Sequence, residues 1–323
     1  MLQRIIIKHS ISGGVLALVV SLSLGSMQAS AQQTYRSGQH IEPAYEGWRM
    51  HDDGSINFIF GYHNENWEEA LDVPVGENNF FSPGAEDRGQ PGHFLPRRNR
   101  FTFVVNVPAD FGESDRELVW EITSPNGETR RAYATLNPDY VIDDVTIASE
   151  TGSLGAGTST PESRANTAPQ LTVIGDHQPD EQIVRYTRVG EPLVIEAHIE
   201  DDGLPVTRTG PSDRSIASET RRALMPPSRV TVGKTNGLFL SWNVYRGEGG
   251  NAHFDPPQIK PWEDTRHGAN SPWGAMWTPP PVPKDGMYRT EVTFDKPGTY
   301  VLWGRADDGG LFDDRWITVE VGE

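Results

Sequence analysis

The chain has 323 residues, no cysteine, and a formal charge of −17 from 28 Lys and Arg against 45 Asp and Glu. Without cysteine there are no disulfide staples and no thiol nucleophile, and the acidic balance repels nucleic acid and anionic lipid. The 9 Trp, 9 Tyr and 12 Phe supply the apolar surface that each domain must bury to hold together.

Residues 1–10 carry Arg4 and Lys8 and no acid, and they lead into an apolar run over 11–24 that ends at Ala29-Ser30-Ala31. This is the layout of an export signal: the run falls short of the ~20 apolar residues that span a bilayer, and small-x-small is the pattern a signal peptidase needs. Cleavage after Ala31 is expected. It removes Arg4 and Lys8, takes the charge from −17 to −19, and delivers the protein to the periplasm or the exterior. An uncleaved anchor is the alternative, but no charged stop-transfer pattern follows the run.

Residues 33–50 read as a polar lead-in. From residue 55 short β-rich runs begin, at 56–62 and 101–107; in the second, Phe101, Phe103, Val105 and Val107 alternate with Thr102, Val104 and Asn106, a period of two that puts one face on a core. Residues 118–123 and 129–136 flank Ser124-Pro125-Asn126-Gly127-Glu128, where Asn-Gly supplies the positive φ angles of a tight reversal. Between the runs at 56–62 and 101–107 the loop at 73–99 is long and rich in Gly, Pro, Asn and charge, and loops of that length tend to be functional or disordered. Residues 149–165 are mostly Gly, Ser, Thr and Ala and read as a flexible linker. Beyond it β runs return at 171–174, 193–199, 238–245, 287–294, 300–306 and 316–321. No helical stripe of any length is present, and the best helix candidate, 215–223, is short.

These elements predict a mainly β chain: an N-terminal β-sandwich-like domain over 35–148, the linker over 149–165, and a second sandwich over 166–323. The second half resembles the Ig-like and PKD-like β-sandwich modules of exported bacterial proteins. The residues that carry the likeness are Asn166-Thr167-Ala168-Pro169, Gly190-Glu191-Pro192-Leu193-Val194-Ile195, Asp201-Asp202-Gly203, Phe294 to Tyr300 and Ala306-Asp307-Asp308-Gly309. The resemblance implies that Trp242 is the core Trp of a third strand, that Pro297-Gly298-Thr299-Tyr300 is a tyrosine corner opening a sixth, and that Leu302 replaces the usual core cysteine. Two insertions, 204–236 and 247–283, depart from the pattern. Such modules serve adhesion, sugar binding and spacing alike, so the likeness implies a fold and no single activity.

Three constellations are candidates for chemistry. In the sandwich reading the loops after the second and sixth strands share one end, which would gather Asp201, Asp202, Asp307, Asp308, Asp313 and Asp314 into a calcium site; ordinary Asp-Gly turn chemistry is the alternative. The insertion at 247–283 holds Trp262, Trp273, Trp277 and His267 among prolines and acids, a composition suited to stacking on sugar rings, although rings of ~150–250 Å² more commonly anchor a loop by burial. The loop at 73–99 carries Arg88 and His93 in the densest cationic stretch of an acidic chain, suited to a carboxylate ligand, or to pairing with Glu77, Glu86 and Asp87. Trp120, Trp242, Trp303 and Trp316 lie in strand runs and read as packing residues.

No zinc-protease, serine-hydrolase or P-loop motif occurs, and no dinucleotide fingerprint. The histidines lack metal-ligand spacing. Asp143 and Asp144, being adjacent, would point to opposite faces of a strand and cannot form one acid–base pair there. The sequence therefore points to an exported, non-catalytic binding or interaction protein of the cell envelope or periplasm, with a carbohydrate or protein partner. A carbohydrate-active hydrolase with an inter-domain site, or a structural subunit of an envelope complex, is the alternative.

Overall fold

In the first half the strands are β1 (Ile41–Met50), β2 (Ile56–Asn64), β3 (Leu71–Asp72), β4 (Asn79–Ser82), β5 (His93–Phe94), β6 (Arg97–Val107), β7 (Leu118–Thr123) and β8 (Thr129–Ala134). They come from a computed structural model that describes residues 36–51, 53–108, 110–111, 117–150, 161–175, 183–206, 237–258 and 281–323. The expected export signal, residues 151–160 of the expected linker, the helix candidate at 215–223, and Trp262, His267, Trp273 and Trp277 lie outside the described residues.

Sheet β1-β2-β6 faces sheet β4-β7-β8, and β3 pairs with β5 beside them. The period of two sends Phe58, Phe60, Phe103 and Val105 inward from the first sheet to meet Phe81, Trp120 and Ile122 from the second. Phe81 stacks on Trp120 with centroids 5.8 Å apart, and Phe103 meets the same ring edge-on at 5.0 Å. Burying Trp120 alone removes enough apolar surface to contribute about 4–6 kcal/mol. Its indole N–H donates to Asn79 Oδ1 at 2.9 Å, so the ring is held without an orphaned donor.

Residues 41–50 form a strand instead of the expected lead-in. A register shift between Tyr45 and Gly47 interrupts its alternation, which conceals the pattern of Ile41, Pro43 and Tyr45 in the sequence. Residues 144–150 form a short helix that the sequence reading missed. Asp143 caps it, accepting from the Thr146 N–H and hydroxyl at 2.8 Å each, and those bonds hold its carboxyl below the usual range. A second short helix spans Pro161–Ala165.

The second half contains β9 (Gln170–Val173), β10 (Ile183–Arg188), β11 (Leu193–Glu200), β12 (Phe239–Arg246), β13 (Ala252–Asp255), β14 (Met287–Phe294), β15 (Gly298–Asp307) and β16 (Phe312–Gly322). Sheet β13-β14-β11-β9 packs on sheet β10-β16-β15-β12, in which β10 runs parallel to β16. Trp242, Leu302, Ile195 and Phe294 fill the core between them. The Tyr300 hydroxyl donates back to the Lys296 carbonyl at 3.1 Å, the corner expected at the start of β15. Trp242 lies so close over β15 that any side chain at Gly304 would overlap its ring.

Within the named strands, pairing stays inside each half, yet residues 36–323 form one compact unit. The outer face of sheet β10-β16-β15-β12 explains this. Trp303 and Tyr245 point away from their own core and join the apolar cluster of the first sandwich. Leu311 and Phe312 pack with Ile59, Phe101, Ile142 and Ile147, so the helix at 144–150 and the turn before β16 close the same seam.

Candidate functional site

One end of the second sandwich collects the end of β11, the start of β12, the end of β13, the start of β14 and the turn from β15 to β16. The registers require it: His198 lies opposite Met287, Asp255 opposite Glu291, and Asp307 opposite both Phe239 and Phe312. Within the expected insertions, 204–236 and 247–283, the chain leaves this end after Val206 and after Gln258 and returns at Gly237 and at Pro281; the second insertion starts at the opposite end, beyond Arg246, and its residues 252–255 are not an excursion but strand β13.

Four of the six acids expected to bind calcium stand at this end, and their oxygens organise turns. Asp202 accepts from the Thr167 N–H and hydroxyl at 2.9 and 2.7 Å and from the Leu204 N–H at 2.8 Å. Burial opposes its charge, but those bonds prevail and hold the carboxyl below the usual range. Asp201 accepts from the Gly203 N–H at 2.9 Å, and burial raises its pKa. Asp307 accepts from the Gly309 N–H at 2.6 Å. Asp308 accepts from the Gly310 and Leu311 N–H groups at 2.6 and 2.8 Å and from Asn166 Nδ2 at 3.0 Å, yet burial pushes its carboxyl up to about 7.

The other two acids part company. Asp313 accepts from the Leu171 N–H of the facing sheet at 2.8 Å, whereas Asp314 points into the seam toward Arg305, because neighbours on a strand face opposite ways. The six therefore do not gather into one site. Among the described residues no group of three or more histidines and acids is disposed to hold a metal ion.

Arg88 and His93 sit in the loop at 73–99, which is built from the inside by two buried amides. Asn79 Nδ2 donates to the carbonyls of Val73 and Pro91 at 2.9 and 2.7 Å. Gln90 Nε2 donates to the Glu86 carbonyl at 2.8 Å, while its Oε1 accepts from the Arg88 N–H at 2.8 Å. The Arg88 guanidinium donates to the Pro83 carbonyl at 3.0 Å.

The outer side of this loop is occupied by the second sandwich. The Gly92 N–H donates to the Tyr245 carbonyl at 2.9 Å and the Tyr245 hydroxyl to the Gly89 carbonyl at 2.5 Å. Arg246 spans Asp87 with bonds of 2.7 and 3.0 Å and donates to the Gln90 carbonyl at 2.9 Å; these bonds hold the Asp87 carboxyl below the usual range. Buried His93 bonds through Nδ1 to Asp72 Oδ1 at 2.6 Å, and its ring lies flat against Gly249. Arg98 and Arg100 pair with buried Glu46 at 2.5 and 3.4 Å.

Sequence reasoning missed Arg305, Tyr245 and Asn166, because their partners lie far off in the chain, and missed strand β10 with Tyr186, although Ile183, Arg185 and Thr187 alternate there. Trp316 also departs from expectation: it is 39% exposed on the outer face, unlike Trp120, Trp242 and Trp303.

No protein-family model matches the chain, and no curated protein matches it. Among solved structures it is similar to the D00-D0 domain of intimin, at 10% identity and a TM-score of 0.22 over 88% of this chain and 100% of that one. The Yersinia pseudotuberculosis adhesin InvE aligns at 7% identity and a TM-score of 0.21, over 87% of this chain and 58% of that one. Fibronectin(III)-like modules of Clostridium thermocellum CbhA align at 9% identity and a TM-score of 0.20, over 86% and 87%. Scores of this size bear on neither partner nor activity.

Proposed function

We propose that this chain is an exported, non-catalytic binding or interaction protein of the cell envelope or periplasm, and that its partner, a protein or a carbohydrate, meets the strand-end loops of the second sandwich. The observation that supports this is the shared end itself. Segments 207–236 and 259–280 both leave and rejoin the sandwich where Asp201, Asp202, Asp307 and Asp308 shape the turns. Trp262, Trp273, Trp277 and His267 belong to the second of these segments and are proposed as ligand contacts.

The filled seam supports the same reading, since a loop end carried on joined sandwiches loses little freedom when a partner docks. Among the described residues no helix is long and apolar enough to cross a membrane. The test replaces 207–236 and 259–280 by short turns, singly and together. The expected outcome is a chain that unfolds as cooperatively as the parent but recovers no partner from the native envelope. Full recovery by the shortened chain would contradict the reading, as would turnover of a chromogenic glycoside or polysaccharide by the parent.

A further inference from the structure

The outer face of sheet β10-β16-β15-β12 is wider than the first sandwich that covers it. Trp303, Val301 and Tyr245 go into the seam, but beyond them the face continues across β16 and β10. The registers place Thr318 beside Val184 and Glu320 beside Tyr186, all on the outer side, because Ile183, Ile317, Val319 and Val321 point inward. Tyr186 is 77% exposed and Trp316 is 39% exposed. The Trp316 ring meets Tyr245 of the seam at 6.0 Å, so the strip is continuous with the wall that the first sandwich raises beside it.

We propose that this strip, with Tyr186 at one end and Trp316 at the other, is a docking shelf for an uncharged polysaccharide. Four residues of β16 separate the two rings, ~13 Å at the rise of a strand, enough to underlie more than one sugar. Each ring presents a flat apolar face to sugar C–H groups, and the hydroxyl and carboxylate groups between them meet sugar hydroxyls. The area argues against a protein occupant: a strip two strands wide and ~13 Å long offers a fraction of the ~800 Å² a side that a stable protein interface buries. Charge argues against an anionic polymer. The chain carries −17 and repels polyanions, and Glu320 already accepts from the Thr299 hydroxyl at 2.8 Å.

The shelf rests on the reading of the chain as a binding protein, but it lies on a sheet face and not at the strand-end loops. The test is affinity electrophoresis of residues 32–323 through gels holding soluble uncharged polysaccharides: β-glucan, xylan, galactomannan and dextran. One or more is expected to retard the protein, with Tyr186→Ala and Trp316→Ala each weakening binding about tenfold, the loss of a single stacking ring. Tyr133→Ala, an exposed tyrosine of the first sandwich, is expected to bind like the parent. Tyr186→Ala removes a side chain that is largely in solvent, so its fold is expected to survive, as near-UV circular dichroism will report. Retardation that Tyr186→Ala and Trp316→Ala leave unchanged overturns the shelf while the binding reading stands. Retardation by none of the four overturns it too, as does a dimer in sedimentation that Tyr186→Ala abolishes, which assigns the face to a second copy.

Discussion

Arg305 on β15 and Asp314 on β16 face each other across the strand pair and are joined by two hydrogen bonds, Nε to Oδ1 at 2.7 Å and Nη2 to Oδ2 at 2.8 Å. The pair is buried in the seam and has further partners there. Trp303 Nε1 donates to Asp314 Oδ1 at 2.8 Å, Arg305 Nη2 donates to the Phe101 carbonyl at 2.6 Å, and the guanidinium lies 3.6 Å from the Phe312 ring centroid. Phe101 holds a left-handed φ of 49°, a conformation that costs a bulky residue about 1–3 kcal/mol and persists here because its carbonyl and ring are both engaged.

Removing one partner leaves a buried, unpaired charge. Arg305→Leu and Asp314→Leu are each expected to lose about 3–5 kcal/mol in urea unfolding. The double variant is expected to recover most of that loss, since no orphaned charge remains. Additive losses would show that the pair does not act as a unit.

Gly249 and His93 make the second test of the seam. A methyl group at 249 overlaps the imidazole, so Gly249→Ala is expected to cost about 1–3 kcal/mol, as overpacking does. In a His93→Ala background the same substitution is expected to cost almost nothing. The readout is a double-mutant cycle by chemical denaturation, and a coupling near zero would mean that the ring does not rest there.

The tyrosine corner is separable from the core it closes. Tyr300→Phe deletes the hydroxyl that donates to the Lys296 carbonyl while keeping the ring, and is expected to lose about 0.5–1.5 kcal/mol. Trp242→Ala empties the centre of the sandwich and is expected to lose about 3–5 kcal/mol. Equal losses would place the two residues in one role.

Asp308 sets a pH dependence of definite sign. Burial raises its carboxyl from 3.8 to about 7, against the pull of three N–H donors. Between those values the folded chain holds a proton that the unfolded chain has lost, so its contribution to stability falls as pH rises from about 4 to about 7 and is level above. The total is on the order of 4 kcal/mol at ~1.4 kcal/mol per unit. Subtracting the urea-derived stability of Asp308→Asn from that of the parent across this range isolates the slope. A flat difference would mean that Asp308 is ionised throughout.

Legibility in the sequence followed the range over which each feature is specified. Trp242, Tyr300 and Leu302 could be placed through the resemblance to Ig-like modules, because a sandwich repeats its core positions strand by strand. Strand β1 escaped because the shift at Gly47 breaks its period, and the capped helix at 144–150 because a run of seven residues shows too little of a 3.6-residue stripe. The seam could not be read at all: Arg305 donates to a carbonyl about two hundred residues away, and no pattern within one strand records that. The loop at 73–99 has the composition of a solvent loop, yet Asn79 and Gln90 replace water as partners for its backbone. Asp313 and Asp314 point to opposite sides of β16, because adjacent residues on a strand alternate, and a grouping by loop could not show that.

Lysine placement allows the central claim to be tested directly. From residue 32 onward the chain has four lysines, Lys234, Lys260, Lys284 and Lys296. Lys284 precedes β14 at the strand-end loops, and Lys296 stands in the turn at the opposite end. Tagged residues 32–323 should be recovered from the native envelope, joined to whatever they hold with an amine-reactive crosslinker, and mapped by mass spectrometry. Crosslinks to a stoichiometric partner through Lys284, Lys234 or Lys260, with Lys296 unmodified by that partner, are the predicted result. Crosslinks through Lys296 alone would contradict the account and place recognition at the other end of the sandwich.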